Sequence, residues 1–194
     1  MFHKGLVLAS TSQYRRGLLA RLGLPFECVA PIVDESPRGD EAAADLAARL
    51  ARLKAETVAR HHAGAVVIGS DQVALRGRQI LGKPGTVERC REQLLASSGR
   101  DVVFLTAAHV IDGPAGRAEA HVDRTTVLFR DLAPAEVDRY IERDHPLDCA
   151  GGFKAEALGI ALFERIESSD PTALTGLPLA WLCGALRRAG FDVP

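Results

Sequence analysis

The stretch AVVIGSDQVALRGRQILGKP, residues 65–84, constrains this chain more than any other. Its first six residues form a short apolar, β-branched run, which reads as a buried strand. Asp71 follows at once. A carboxylate beside sheet core needs either a partner or a task. The run predicts a strand that is core up to Ser70 and ends at Asp71, where a rigid element would deliver an acid to a cleft. Taken alone, Asp71 reads equally well as a turn former or a helix cap. Beyond it, VALRGRQIL predicts a hairpin turning at Arg76-Gly77. LGKP then sets Lys83 between Gly82, which lets the backbone approach closely, and Pro84, which restricts the lysine.

The flanking sequence supplies alternating elements. GLVLAS predicts a short strand, and TSQYRRGLLARLG a helix capped by Ser12 and stopped by Gly23. PFECVAP is a second strand candidate, and the polar IVDESPRGDEAA a loop. Residues from about Ala43 to His61 form the clearest helix, with Leu46, Leu50 and Leu53 on one face and Lys54 at the edge of that stripe. Further helices are predicted from Thr86 to Gly99, through APAEVDRYIER with Pro134 in its first turn, and from Pro178 to Ala189. Two long strands flank the turn Gly-Pro-Ala-Gly. The order implies an α/β fold with a mixed sheet.

At 194 residues, 47% hydrophobic and 25% charged, the chain suits one domain, or two lobes around a shared sheet. A net charge of −1 argues against a general polyanion binder, so nucleic acid is only a weak third option and is not expected as a partner, while an anionic small molecule needs only a few local cations. The cysteines Cys28, Cys90, Cys149 and Cys183 show neither zinc-ligand nor disulfide spacing and are expected to be free thiols. The N-terminal apolar stretch is too short for a secretory signal, and no stretch approaches a membrane span. A cytoplasmic location with no membrane partner is expected.

Several residues could carry chemistry. Arg15 and Arg16 stand where a strand hands over to a helix, a place that favours phosphate; the alternative is two solvated arginines. Asp34 and Glu35 lie in a loop after a strand. Glu35 and Asp71 could supply the one or two carboxylates that Mg²⁺ ordinarily takes besides substrate phosphates. Lys54 and Lys83, taken singly, read as surface charges. No Walker A loop, Rossmann fingerprint, Gly-x-Ser-x-Gly elbow or Asp-x-Asp is present.

The ordered set LVLASTSQYRRGLLARLG, VDES, the helix with Lys54, IGSDQV and LGKP resembles the Maf nucleoside triphosphate pyrophosphatases. So does YIERDHPLDCAGGFKAEALGIALFERIESSDPTALTGLPL, so the likeness spans nearly the whole chain. The resemblance implies a single Maf/ITPase-like domain over residues 1–194, two-lobed with a central cleft, its mixed twisted sheet flanked by helices. It implies cleavage between the α and β phosphates, with a divalent metal, Mg²⁺ or Mn²⁺, as cofactor. Asp71 would be the general base and touch the metal, and Glu35 would be the principal metal carboxylate. Ser10, Arg15, Lys54 and Lys83 would grip the triphosphate. A homodimer is common in the family. Gln13 replaces a frequent proline, and Ala107 a frequent glycine.

SDQV and CAGGFKAEALGIALFE look like the branch that acts on 7-methyl-GTP. Specificity would rest on Tyr14, Gln72 and Glu156. An ionised glutamate only accepts hydrogen bonds, which suits the N1–H and N2 amine of guanine. Tyr14 could stack on a methylated, positively charged base. Glu156 could instead pair with Lys154. Two other readings are a dTTP/UTP pyrophosphatase and a nucleotide-binding regulator of septum formation.

Overall fold

The computed structural model describes residues 4–194; Met1 to His3, which open the stretch read for a leader, lie outside it. Seven strands pair in the order β2-β1-β3-β5-β6-β7, with β4 on β3. They are β1 (Gly5–Ala9), β2 (Glu27–Cys28), β3 (Ala65–Arg76), β4 (Gln79–Leu81), β5 (Asp101–Asp112), β6 (Arg117–Phe129) and β7 (Phe163–Glu167). The helices are α1 (Gln13–Ala20), α2 (Ala43–Ala59), α3 (Val87–Ser97), α4 (Pro134–Asp144) and α5 (Leu179–Arg188). The sheet is mixed: β1 runs parallel to β2 and β3, while β3–β4 and β6–β7 are antiparallel. The expected α/β class with a mixed sheet is therefore the observed one. No described helix is long and apolar enough to cross a membrane.

The chain forms two compact units. The first comprises the chain through Gln72, Thr106–Asp123 and Asp170–Pro194. Its core follows the period-two alternation of strands. Leu6 and Leu8 of β1, with Val66 and Ile68 of β3, pack with Leu18 and Leu19 of α1 and Leu182 and Leu186 of α5. The intervening Val7, Ala9, Ala65 and Val67 face the other way, onto Ala55 and Val58 of α2. One strand register thus buries both faces of the sheet under helices.

The second unit holds Val73–Leu105 and Arg124–Ser169. Four phenylalanines, Phe104, Phe129, Phe153 and Phe163, meet edge-to-face there with ring centroids 4.8 to 5.5 Å apart. Gly152, at φ 76°, lies against Cys90, and a Cβ there would stand 3.0 Å from the Cys90 sulfur. That close approach explains one glycine of CAGG.

Two sequence expectations need correction here. β3 does not end at Asp71 but runs on to Arg76, so the aspartate sits in mid-strand. The polar triplet Ser70-Asp71-Gln72 interrupts the apolar run without interrupting the ladder, because each of its side chains finds a partner. PFECVAP yields only the two-residue β2. The hairpin at Arg76-Gly77 stands as expected, with Arg76 opposite Gln79. So do the caps: Ser12 accepts from the Arg15 amide and Thr86 from the Arg89 amide.

Candidate active site

The alternation that builds the first unit's core also aims its polar residues. Continuing along β3, Gly69 and Asp71 point to the α2 face, and Ser70 and Gln72 to the opposite one. A Cβ on Gly69 would lie 2.1 Å from the Ala51 carbonyl and 2.6 Å from the Ala55 nitrogen, so α2 passes in direct backbone contact with the strand. This approach lets a helical lysine reach a strand carboxylate: Lys54 Nζ lies 2.6 Å from Asp71 Oδ1. The same ammonium is 2.8 Å from Glu35 Oε1.

Lys54 is not at the margin of its helix face. It is 6% exposed and in line with Leu46, Ala47, Leu50, Ala51, Ala55 and Val58, whereas Leu53 is only half-buried. Burying an ammonium is unfavourable unless it is paired, and the two carboxylates supply the pairing. Glu35 sits in the loop between β2 and α2 and is largely exposed, with 59% of its side chain open. Next to it, Asp34 accepts a hydrogen bond from the Ser36 amide at 3.0 Å, which holds the Asp34 carboxyl below its usual range.

On the other face of β3, one carbonyl collects two donors. The Gly176 oxygen accepts from Ser70 Oγ at 2.9 Å and from Arg15 Nε at 2.9 Å. Gly176 has φ 116°, and a Cβ there would press on Arg15 Nε at 3.4 Å. Burial lowers the pKa of the Arg15 guanidinium, and the negative fields of Asp71 and Glu35 oppose that. Arg15 thus remains a cation with its terminal nitrogens left to donate. Arg16 is exposed, so the adjacent arginines part company.

Ser10 is buried; its Oγ accepts from the Ser12 amide at 3.1 Å, leaving the hydroxyl hydrogen to donate. Tyr14 is half-buried in the first turn of α1. The amide nitrogen of Gln72 donates to Thr106 Oγ1 and to the carbonyls of Ala173 and Leu174, at 2.9 to 3.1 Å. Its side-chain oxygen is the atom left for any other contact.

The first unit therefore brings together Glu35, Lys54 and Asp71, with Arg15 close enough to feel both carboxylates. Lys83 and Glu156 belong to the second unit, and both are exposed. The expected alternative partner of Glu156 is engaged elsewhere, since Lys154 Nζ donates to the Asp144 carbonyl at 2.7 Å. Cys28, Cys90, Cys149 and Cys183 form no disulfide among the described residues. Sequence reasoning passed over Gly69, Ser70, Thr106 and Gly176. A lone glycine in a β-branched run is a signal of close backbone approach and could have identified the first.

Comparison with known proteins agrees with this picture. The Maf family profile, described as "Maf-like protein", matches residues 5–189. The 7-methyl-GTP pyrophosphatase of Pseudomonas syringae is 50% identical over 97% of this chain and 98% of its own length. Its namesake in Cupriavidus metallidurans is 51% identical over 96% and 94%. Among solved structures, the Ham1 protein of Staphylococcus aureus superposes with a TM-score of 0.54 at 17% identity, covering 94% of this chain and 100% of its own. A HAM1 protein from Coxiella burnetii gives 0.52 at 14% identity, covering 96% and 100%. The structural likeness supports the fold; the sequence likeness goes further, and the chain belongs to the Maf family.

Proposed function

We propose that this protein hydrolyses 7-methyl-GTP between its α and β phosphates, releasing the nucleoside monophosphate and pyrophosphate. The observation that carries the reading is the buried Lys54–Asp71 pair with Glu35 on the same ammonium. Lys54 holds Asp71 Oδ1 in place, which leaves Oδ2 to take a proton from water as the anhydride is cleaved. Lys54 also supplies the counter-charge that a carboxylate buried at this point of the strand needs. Arg15, its Nε fixed by Gly176, presents its terminal nitrogens to phosphate oxygens, and Ser10 offers a hydroxyl. Preorganised donors of this kind supply most of the help that phosphoryl-type reactions need.

The donor set fits a hard divalent cation. Glu35 and Asp71 are oxygen ligands brought within reach of one ammonium, and the described residues contain no cluster of three or more His, Cys, Asp or Glu. Mg²⁺ and Mn²⁺ ordinarily take one or two carboxylates and complete their shell with phosphates and water. When bound, such a cation would neutralise charge on the phosphates. Glu35 and Asp71 are the residues that would hold it.

The choice of 7-methyl-GTP rests on the names of the two half-identical relatives and on Glu156. A carboxylate accepts from both guanine donors but meets the carbonyls of uracil or thymine unfavourably. A pyrophosphate-release panel of 7-methyl-GTP, GTP, dTTP and UTP, with Mg²⁺ or Mn²⁺, tests the proposal. Preference for 7-methyl-GTP, reduced in Glu156→Gln, is expected. Preference for dTTP and UTP would overturn the specificity, and no hydrolysis of any nucleotide would overturn the activity.

A further inference from the structure

Glu35 presents a physical problem. It lies on an exposed loop: Asp34, Ser36, Pro37, Arg38, Gly39 and Asp40 are exposed as well, and Ile32 is 90% open. The loop has little apolar burial to fix it. Ordering a backbone carries an entropic cost at every residue, so something else must hold the segment. The ion pair to Lys54 acts at the tip of one flexible side chain and does little to set the backbone.

The missing anchor is Arg49, on α2 five residues before Lys54. Its Nε meets Glu41 Oε1 at 2.7 Å, and its Nη2 meets Glu41 Oε2 at 2.7 Å and the Ser36 carbonyl at 3.0 Å. Glu41 Oε2 also accepts from the Arg38 amide at 3.3 Å. One guanidinium thus ties both ends of the 36–41 segment to the helix that carries Lys54. The pair is only 10% and 12% exposed, whereas the Arg52–Glu56 pair on the same helix is 56% and 40% exposed. A bidentate, largely desolvated fork holds geometry in a way that a solvated pair does not.

We propose that Arg49 is a positioning residue for Glu35: clamped by Glu41, it fixes the Ser36 carbonyl and so presents the neighbouring carboxylate to the divalent cation. This inference rests on the reading of Glu35 as a metal carboxylate. Lysine cannot replace Arg49, because an ammonium cannot span Glu41 and the Ser36 carbonyl as a planar fork does.

The test is Mn²⁺ affinity of the folded full-length protein without nucleotide, read from the electron paramagnetic resonance signal of free Mn²⁺. Arg49→Ala is expected to weaken Mn²⁺ binding about tenfold, the low end for loss of a partner that orients a ligand. Arg49→Lys should lose nearly as much, and Glu41→Gln should shift affinity in the same direction should Arg49→Ala fail to fold. The double variant Arg49→Ala/Glu35→Gln should bind no more weakly than Glu35→Gln alone, because Arg49 acts through Glu35. A merely structural role would lower the melting temperature and leave Mn²⁺ affinity of the folded protein within twofold. That result, with Glu35→Gln still defective, overturns the inference and leaves the metal reading standing. Unchanged affinity in Glu35→Gln overturns both.

Discussion

Lys54 Nζ lies 2.6 Å from Asp71 Oδ1, joining the middle of α2 to the middle of β3, with 8% and 10% of the two side chains exposed. Few arrangements fix a carboxylate more firmly. Its oxygen is held by a cation from one side while the strand ladder holds its backbone. The pair also makes stability and activity depend on the same residue.

Lys54→Met should therefore be costly twice. It leaves Asp71 buried without its counter-ion, a change worth about 3 kcal/mol of stability. Denaturant unfolding should show a lower midpoint with an unchanged slope. Turnover of any folded enzyme should fall at the same time, since the carboxylate is no longer held in position.

How far this site is legible in sequence depends on the range of its contacts. Asp71 stands out because a carboxylate follows an apolar run. Its neighbours look like the end of a strand, since three polar residues in a row carry no sign of burial. Their partners are remote: Lys54 is 17 positions away from Asp71, and Gly176 is 106 from Ser70. Nothing local announces such pairing. The apolar Val73, Ala74 and Leu75 do continue the strand pattern, and they are the local clue that β3 goes on. The leucine spacing puts Lys54 at the edge of its helix stripe because leucines outweigh alanines in hydrophobicity. The buried face uses Ala47, Ala51 and Ala55, whose small size is what lets α2 approach the sheet. The caps, the helix at Pro134 and the β3–β4 hairpin depend on local turn chemistry and are legible. β2 is legible as a strand but not in its shortness, and β7, which depends on its sheet partner, is not legible.

Gly69→Ala tests the close approach directly. The new methyl would meet the α2 backbone at 2.1 and 2.6 Å, where no flexible side chain can yield. Either α2 lifts off β3 or the strand buckles. A loss of about 3 kcal/mol, the upper range for overpacking, is expected. Activity should fall with it, because lifting α2 withdraws Lys54 from Asp71. Alanine tolerated at full stability and full activity would show that the helix does not need this contact.

Gln72→Glu separates donor from acceptor. The change keeps an oxygen but replaces a nitrogen that donates to Thr106 Oγ1 and to the Ala173 and Leu174 carbonyls. The new carboxylate oxygen faces acceptors, so a destabilisation of about 1–3 kcal/mol is expected from the lost bonds. Thermal unfolding of the two proteins at matched pH reads this out.

Cys90 predicts a pH effect. Burial pushes its thiol from 9.0 up to about 11. Between these values the unfolded chain releases the proton and the folded protein keeps it, so stability should fall as pH rises through this window and be indifferent below it. The fall in melting temperature from about pH 8 to about pH 10 should be smaller in Cys90→Ala than in the parent protein. In native alkylation at about pH 8, the exposed Cys28 should react well before Cys90.

The most direct test of the account is hydrolysis and binding of 7-methyl-GTP by Asp71→Asn. Asparagine keeps the shape and an oxygen for Lys54 but cannot accept the water's proton as a carboxylate does. Turnover should drop about a thousandfold, within the range for loss of a general base, while nucleotide affinity stays within a few-fold of the parent. A variant that keeps a tenth or more of its activity would remove Asp71 from the reaction and contradict the account at its centre.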